Sequence, residues 1–395
     1  MSKLQELILE LCPNGVEYKK IHDVAEVGTG SCNGNEAEEG GAYPFFVRSQ
    51  NVKAKNDFQY DEEAIIIPGE GGIGDIFHYV NGKYALHQRV YRIHFIDKTI
   101  NVKFIYYYMK SNFKSFILKK AVSATVTSIR KPMIEKFEIP IPLPEVQEEI
   151  VKILDHFTDL AAELQAELQA RKEQYEYYRN KLLTFDKIGE GKQSVTWMRM
   201  CDLFDMRNGY TPSKTNVEYW ENGTVPWFRM EDIRQNGRIL SDSIQHITSS
   251  AVKGGRLFPA NSFIIATTAT IGEHALIIAD SLANQRFTNL QVRKSLIDKV
   301  NIKFLYYYMY IVGAWCKNNT NVSGFASVDM KKFKKLLIPI PSISKQQRIV
   351  AILDKFEVLV NDLSQGLPAE VAAVQEQYEY YRNKLLSFSR ADMSA

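Results

Sequence analysis

Cysteine is scarce in this 395-residue sequence: only Cys12, Cys32, Cys201 and Cys316 occur, each alone. With no CxxC pair and no cysteine–histidine cluster, a disulfide framework and a zinc site are both disfavoured, and a cytoplasmic setting is expected. Long apolar runs are missing as well. Residues 1–11 are apolar only at alternate helical positions and carry Glu6 and Glu10, so they read as neither a signal peptide nor a membrane span, and no membrane partner is expected. Neither charge sign dominates, since the formal net charge is +3, which permits an acidic partner without demanding one.

The motifs of catalysis are also absent. None of the seven histidines forms an H-x-x-x-H pair, and there is no G-x-S-x-G elbow, no G-x-x-x-x-G-K-[ST] loop and no N-P-P-[YF] element. One G-x-G-x-x-G match exists, Gly69-Glu70-Gly71-Gly72-Ile73-Gly74, placed after an expected strand. The residues that follow, 75–82, look β-like and close on an Asn81-Gly82 turn, whereas a dinucleotide site needs a helix N-terminus there. A turn or a loop facing a bound partner is the expected role, no cofactor is expected in this chain, and no metal site is assigned.

What the sequence does contain, it contains twice. Gln174-Tyr175-Glu176-Tyr177-Tyr178-Arg179-Asn180-Lys181-Leu182-Leu183 returns unchanged as Gln377-Tyr378-Glu379-Tyr380-Tyr381-Arg382-Asn383-Lys384-Leu385-Leu386. Upstream of each copy lies Ile-Pro-Ile-Pro, at residues 139–142 and 338–341, followed by an Ile-Leu-Asp run ending at Phe157 and at Phe356. The chain is therefore two halves of about 200 residues, and its 45% hydrophobic and 24% charged content suits soluble domains with real cores.

Beyond Pro144 the chain runs for about forty residues without proline or glycine, which predicts one helix of roughly 60 Å. Its apolar positions, Ile150, Ile153, Phe157, Leu160, Leu164, Leu168, Tyr175, Tyr178, Leu182 and Phe185, form a coiled-coil seam with Arg171 inside it. A stutter falls at Leu160-Leu164-Leu168, within the tandem tetrapeptide Ala162-Glu163-Leu164-Gln165 and Ala166-Glu167-Leu168-Gln169. The second copy is one tetrapeptide longer. Phe356 lies 199 residues after Phe157, whereas Tyr378 lies 203 after Tyr175, and the extra residues include Gly366-Leu367-Pro368, where a kink or break is expected.

The stretches around the helices, rich in Gly, Asn, Thr and aromatics, hold short β-like runs such as Ala64-Ile65-Ile66-Ile67, residues 90–96 and Ser262-Phe263-Ile264-Ile265-Ala266. Only parts of them repeat: residues 101–109 match 301–309, Ile73-Gly74 matches Ile271-Gly272, and Gln88-Arg89 matches Gln285-Arg286. A repeated helix pair carrying two diverged domains is what a reader of two different half-sites needs, because paired helices set the distance between the domains. One tetrapeptide adds about 6 Å, or one to two base pairs at 3.4 Å each. A purely structural coiled-coil protein would explain the helices but not the divergence, and a fused restriction enzyme would need an N-terminal nuclease or methylase that this length leaves no room for.

These motifs, with the opening Leu11-Cys12-Pro13-Asn14-Gly15-Val16-Glu17 and the Gly366-Leu367-Pro368-Ala369-Glu370 insert, make the chain resemble the specificity subunit of a type I restriction-modification system over essentially its whole length. The resemblance implies an α+β fold: two mixed α/β target recognition domains joined by two long antiparallel coiled-coil helices with pseudo-two-fold symmetry. The expected boundaries are 1–143 and 187–342 for the domains, and 144–186 and 343–389 for the helical spacers. It further implies a non-catalytic, cytoplasmic DNA-binding subunit that works on double-stranded DNA with two modification subunits and, through them, two restriction subunits. S-adenosylmethionine would sit in the modification subunits, which methylate adenine, and ATP and Mg in the restriction subunits, which form the endonuclease.

Base reading calls for Arg, Lys, Gln and Asn in the parts that differ, since these bond bidentately to guanine or adenine edges. The expected DNA-binding residues are Arg48, Gln50, Asn51, Lys53, Gln88 and Arg89 in the first domain. In the second they are Tyr210, Thr211, Lys214, Arg229, Asp232, Arg234, Gln285 and Arg286. Each taken alone also reads as an ordinary surface residue. Tyr177, Arg179, Tyr380 and Arg382 lie off the seam and are the expected partner-binding positions, although packing is the default role for tyrosines in such a helix. The matched runs Tyr106-Tyr107-Tyr108 and Tyr306-Tyr307-Tyr308 are expected to pack helices, because reading different sequences would not need them alike.

Overall fold

The computed structural model describes residues 10–120, 128–185, 195–321, 326–361 and 366–391. They divide into two compact units, Met1–Ala166 with Glu370–Ala395, and Glu167–Ala369. The first division falls inside the tandem tetrapeptide and the second inside the Gly366 to Glu370 insert, so each unit holds a globular domain with the ends of two helical segments.

The helices that matter are α1 (Val102–Lys120), α2 (Pro144–Leu183), α3 (Met230–Asn236), α4 (Ile302–Asn318), α5 (Ile343–Asn361) and α6 (Leu367–Leu385). Helix α2 is 40 residues long and runs uninterrupted through the stutter, with Pro144 in its first turn, where a missing N–H costs nothing. The second stretch is divided at Gly366, as expected: α5 is described to Asn361, Gly366 lies in a bend, and α6 begins at Leu367 with Pro368 in its first turn. The buried stripe of α2 is wider than the expected seam. Leu154 and Leu183 are buried beside Ile150, Leu168 and Tyr175, while Tyr178 remains exposed, because the globular domains pack on this helix as well as its helical neighbours.

In the first unit a six-stranded sheet is built from β1 (Ala25–Thr29), β2 (Tyr43–Phe46), β3 (Lys53–Lys55), β4 (Tyr60–Pro68), β5 (His78–Leu86) and β6 (Val90–Phe95), in the order β1-β6-β4-β5-β2-β3. Ala64, Ile65, Ile66 and Ile67 are fully buried in central β4, and Ile65 and Ile67 share one core with Phe104, Ile105, Met109 and Phe113 of α1. The Asn81-Gly82 turn is not there. Both residues lie inside β5, opposite Glu63 and Glu62, because β4 is long enough to carry the ladder past them and Gly82 takes the positive φ (119°) that its place requires. The glycine loop after β4 leads into β5 rather than into a helix, so it lacks the frame of a dinucleotide site.

The second unit repeats the plan. Its strands are β7 (Phe204–Asn208), β8 (Val225–Phe228), β9 (Ile239–Leu240), β10 (His246–Ile247), β11 (Ser262–Ala266), β12 (His274–Ile277), β13 (Leu282–Ala283) and β14 (Phe287–Val292). They form the sheets β7-β14-β11-β12-β9 and β10-β8-β13. The parallel pairing of β2 with β5, Phe45 opposite Ala85, recurs as β8 with β13, Trp227 opposite Leu282.

Both domains are fastened to their long helices by the same bonds. In the first unit Asp155 of α2 accepts from Lys103 Nζ at 2.6 Å and from Tyr107 Oη at 2.6 Å. In the second, Asp354 of α5 accepts from Lys303 Nζ at 2.8 Å and from Tyr307 Oη at 2.6 Å. The middle tyrosine of each repeated run is thus a helix-packing residue, as expected, and the aspartate of each Ile-Leu-Asp motif is its partner. Buried Gln147 and Gln346 make a second matched fastening: their Oε1 atoms accept from Asn101 N (2.8 Å) and Asn301 N (2.7 Å), and their amides donate to the carbonyls of Pro142 and Pro341, both at 2.7 Å. Aromatic stacking closes each unit, Phe157 on Tyr381 in the first at 5.4 Å, and Tyr175 and Tyr178 on Phe356 in the second at 6.2 and 5.7 Å.

Candidate nucleic-acid interface

In each domain a Gln-Arg pair sits at the turn into the same strand, held by main-chain bonds. His87 N bonds the carbonyl of Phe46 (3.0 Å), and Asn284 N bonds that of Phe228 (3.1 Å), so Gln88-Arg89 and Gln285-Arg286 occupy equivalent places. A glycine lies directly beneath each turn. A Cβ on Gly30 would stand 1.8 Å from the carbonyl oxygen of Leu86, and one on Gly209 would stand 2.3 Å from that of Ala283. Only glycine fits either position, and both were overlooked in the sequence, where neither belongs to a motif.

Around the first turn, Arg89 Nη1 reaches both carboxylate oxygens of Glu70, at 2.7 and 2.9 Å, and Arg48 Nη1 reaches Oε2 at 3.0 Å. Hydrogen bonds from Arg89 and then Arg48 hold the Glu70 carboxyl below its ordinary pKa. Gln88 Nε2 donates to Asn33 Oδ1 (2.9 Å), and Lys53 Nζ reaches the neighbouring Gly34 carbonyl (3.3 Å). The side chains of Arg48, Lys53, Gln88 and Arg89 therefore share one exposed edge, and Asn51 is exposed on the segment between Arg48 and Lys53. Gln50 departs from this group. It lines a separate hollow of about 480 Å³ with Phe46, His78, Tyr106 and Asp155. Glu70 and Asn33 escaped the sequence reading because their part is to hold other side chains, and nothing in the glycine-rich loop marks Glu70 as a partner for two arginines.

Around the second turn lies a groove of about 660 Å³, lined by Thr211, Lys214, Arg229, Gln285 and Arg286 among others. Five of the eight expected residues thus converge. The groove includes Trp220 and Trp227, packed edge to face at 5.0 Å, with the Arg229 guanidinium 5.7 Å above the Trp227 ring. Thr211 Oγ1 donates to Gln285 Oε1, which fixes the glutamine amide, and Asn284 Oδ1 accepts from Arg286 N at 3.0 Å. The tryptophans and Asn284 line the groove as well; in the sequence the indoles carry no bidentate group for a base edge, and nothing sets Asn284 apart from other asparagines.

Three expected residues are placed differently. Asp232 is fully buried, its carboxylate accepting from Arg229 N at 2.6 Å and Ile244 N at 2.7 Å, so it anchors α3 and presents nothing to a base edge. Tyr210 is turned inward: its hydroxyl donates to the Ala251 carbonyl (3.1 Å) and accepts from Lys253 N (2.6 Å). Arg234 is exposed but faces a different hollow, of about 1330 Å³, together with Arg238, Glu273 and Lys317.

Of the four expected partner-binding side chains, Tyr177 and Tyr380 are exposed, at 59% and 61%. Arg179 is not available. It is only 8% exposed, with its guanidinium 4.0 Å from the ring centre of Tyr310 and 5.1 Å from that of Tyr175, because the second domain's helix α4 covers this face of α2. Arg382 is half-buried, 5.5 Å from the Tyr378 ring. Among the described residues no three His, Cys, Asp or Glu side chains converge as metal donors.

The two equivalent turns carry amide and guanidinium side chains at matched positions, on domains of one plan but different surface, and side chains of these types can bond base edges. The chain is 52% identical over 221 residues to the type I restriction enzyme EcoprrI specificity subunit of Escherichia coli, covering 54% of this chain and 55% of that one. It is 41% identical over 269 residues to the EcoR124I/EcoR124II specificity subunit of Escherichia coli, covering 65% and 64%. The chain thus spans about half to two thirds of the length of these two relatives. Its fold is that of the crystallised S subunit of a type I restriction-modification system from M. genitalium, with a TM-score of 0.56 at 14% identity over 94% of this chain and 96% of that one. The type I restriction modification DNA specificity domain matches twice, at residues 13–173 and 194–373, and the chain belongs to that family.

Proposed function

We propose that this chain is the DNA-recognition subunit of a type I restriction-modification complex, without catalytic activity of its own, and that each domain reads one half of an asymmetric, bipartite duplex site. The observation that carries the proposal is the pairing of matched fastenings with unmatched edges. Asp155 and Asp354 tie both domains down in the same way, while the residues around the two Gln-Arg turns differ. A subunit that had only to hold an assembly together would have no use for that difference. The helices set the gap between the half-sites, and Tyr177 and Tyr380, large aromatics exposed at identical places in the repeat, suit the docking of two modification subunits. Those subunits would hold S-adenosylmethionine and methylate adenine at N6, and two restriction subunits bound through them would supply ATP- and Mg-dependent cleavage.

The test is a salt-dependent gel shift of the chain with and without its modification subunit, on random and site-containing duplexes, with the motif obtained by sequencing the methylated adenines in cells that carry the complex. A bipartite motif and a preference for it are expected. Absence of preference for any duplex, even in the complex, would remove the proposal. Deleting residues 166–169, one tetrapeptide of the tandem pair, should change the gap by one to two base pairs while both half-sites keep their bases.

A further inference from the structure

Resting on the DNA-recognition reading above, we propose that helix α3 is the element of the second domain that enters the major groove, and that Glu231, Arg234, Gln235 and Asn236 are its base-reading side chains. Of the residues of this helix, the sequence pointed to Asp232 and Arg234.

Three observations converge on α3. The first is its division of faces: Met230, Asp232 and Ile233 are buried, whereas Glu231, Arg234, Gln235 and Asn236 are exposed. Every exposed side chain is of a type that bonds a base edge, arginine to guanine, glutamine and asparagine to adenine, glutamate to the cytosine amino group. Lysine, the usual occupant of a merely solvated helix face, is absent from it.

The second is shape. The helix borders two hollows: Arg229 and Glu231 line the groove of about 660 Å³, and Ile233, Arg234, Gln235 and Asn236 line the one of about 1330 Å³. Its exposed side chains therefore open onto concave surface along its length. Its seven residues span about 10 Å, against a major groove about 12 Å wide. The neighbouring Arg229 then lies beside the helix, where phosphates would run.

The third is rigidity. A base-reading helix has to be held in place by its own domain, and α3 is held by the two backbone bonds to Asp232 and by Met230 and Ile233 in the core around Trp227 and Phe228. Gly237, at φ 79°, ends it. The first domain has no counterpart, because after β2 the chain passes directly to β3 without a helix.

The experiment uses the full chain with its modification subunit and compares Gln235→Ala, Asn236→Ala and Glu231→Gln with the wild type. It reads the methylated motif by sequencing, affinity on duplexes varied at single positions, and thermal melting to confirm the fold. Each variant should lose about ten-fold of its preference at one or two positions of the second half-site, with the first half-site and the gap intact. An unchanged second half-site in folded variants would overturn the assignment while leaving the recognition reading standing. So would an equal weakening on all duplexes, which marks phosphate contacts. If the wild-type complex itself yields no bipartite motif, the recognition reading falls, and α3's role with it.

Discussion

The two Gln-Arg turns share the main-chain bond that holds them and the glycine beneath, and differ in the side chains around them. At the first, Glu70 holds Arg48 and Arg89 together in an ion-paired set. At the second, Arg286 opens on a groove with two tryptophans, and the neighbouring glutamine is fixed by Thr211. The difference teaches where change is tolerated. The strand pairings, the glycine beneath the turn and the fastenings to the long helices fix the place at which side chains are offered, and the side chains that surround this place are free to differ. The most direct challenge to that view is to break the common part in both domains and ask whether they suffer alike.

The largest effect is expected at the glycines. Gly30→Ala and Gly209→Ala each force a methyl group against a carbonyl of the turn, and relief requires the strand end to move, at about 3 kcal/mol. Denaturant unfolding of each variant should give similar losses. A large loss in one and none in the other would show that the turns are built differently after all.

The arginines test the other side of the comparison. Arg89→Ala and Arg286→Ala should each cost about 1–3 kcal/mol of discrimination, the first at one half-site and the second at the other, measured by competition binding on duplexes varied in each half. Cross-effects, with Arg286→Ala degrading the half-site of the first domain, would contradict the division of labour.

How far this was legible in the sequence depends on what kind of signal each part leaves. Helix α2 was legible almost to the residue, since forty residues without a breaker and a periodic apolar stripe can form little else. The break before α6 was legible from Gly366 and Pro368. The strands at Ala64, Val90 and Ser262 were legible as apolar runs, but Asn81-Gly82 misled, because a turn signal is local and the long partner strand β4 overrides it. Of the candidate site, the Gln-Arg pairs stood out by repetition. The buried anchor Asp232 passed for a base reader because sequence does not distinguish a carboxylate that caps a helix from one that faces solvent. Glu70, Gln147 and Gln346 left no trace, since Arg89, Asn101 and Asn301, which they bond, lie 19 to 46 residues away and only the fold brings them together.

Acid sharpens the comparison in the cores. Both domains start an equivalent strand with a buried histidine whose Nε2 has no hydrogen-bond partner among the described residues, His78 in β5 and His274 in β12. Burial pushes both imidazoles down, and His274, the deeper, reaches about 3. Between that value and the ordinary 6.5 the unfolded chain binds the proton that the folded one refuses, so stability is kept above pH 6.5 and falls as pH drops below it. Going from pH 7 to 5.5 should cost about 1 kcal/mol through His274. The variant His274→Gln should unfold with a flatter pH dependence, and His78→Gln should change the slope less. Equal slopes in the wild type and His274→Gln would show that this ring takes up its proton within the fold.

The smallest effect should come from Glu70, and it bears most directly on why the two edges differ. A carboxylate between two arginines weakens their pull on any phosphate, and it also fixes where the guanidinium groups point. Glu70→Gln keeps the shape and removes the charge. Binding to random duplex should therefore rise by roughly two- to five-fold at low salt, with a steeper salt dependence, while the ratio between the correct and an altered first half-site falls by a similar factor. The second half-site, faced by a domain in which no carboxylate bonds Arg286 among the described residues, should be read as before. If Glu70→Gln instead weakens binding to every duplex, then Glu70 acts chiefly as a scaffold for its loop, and the contrast between a restrained pair of arginines in one domain and a freer arginine in the other has no bearing on how the half-sites are read.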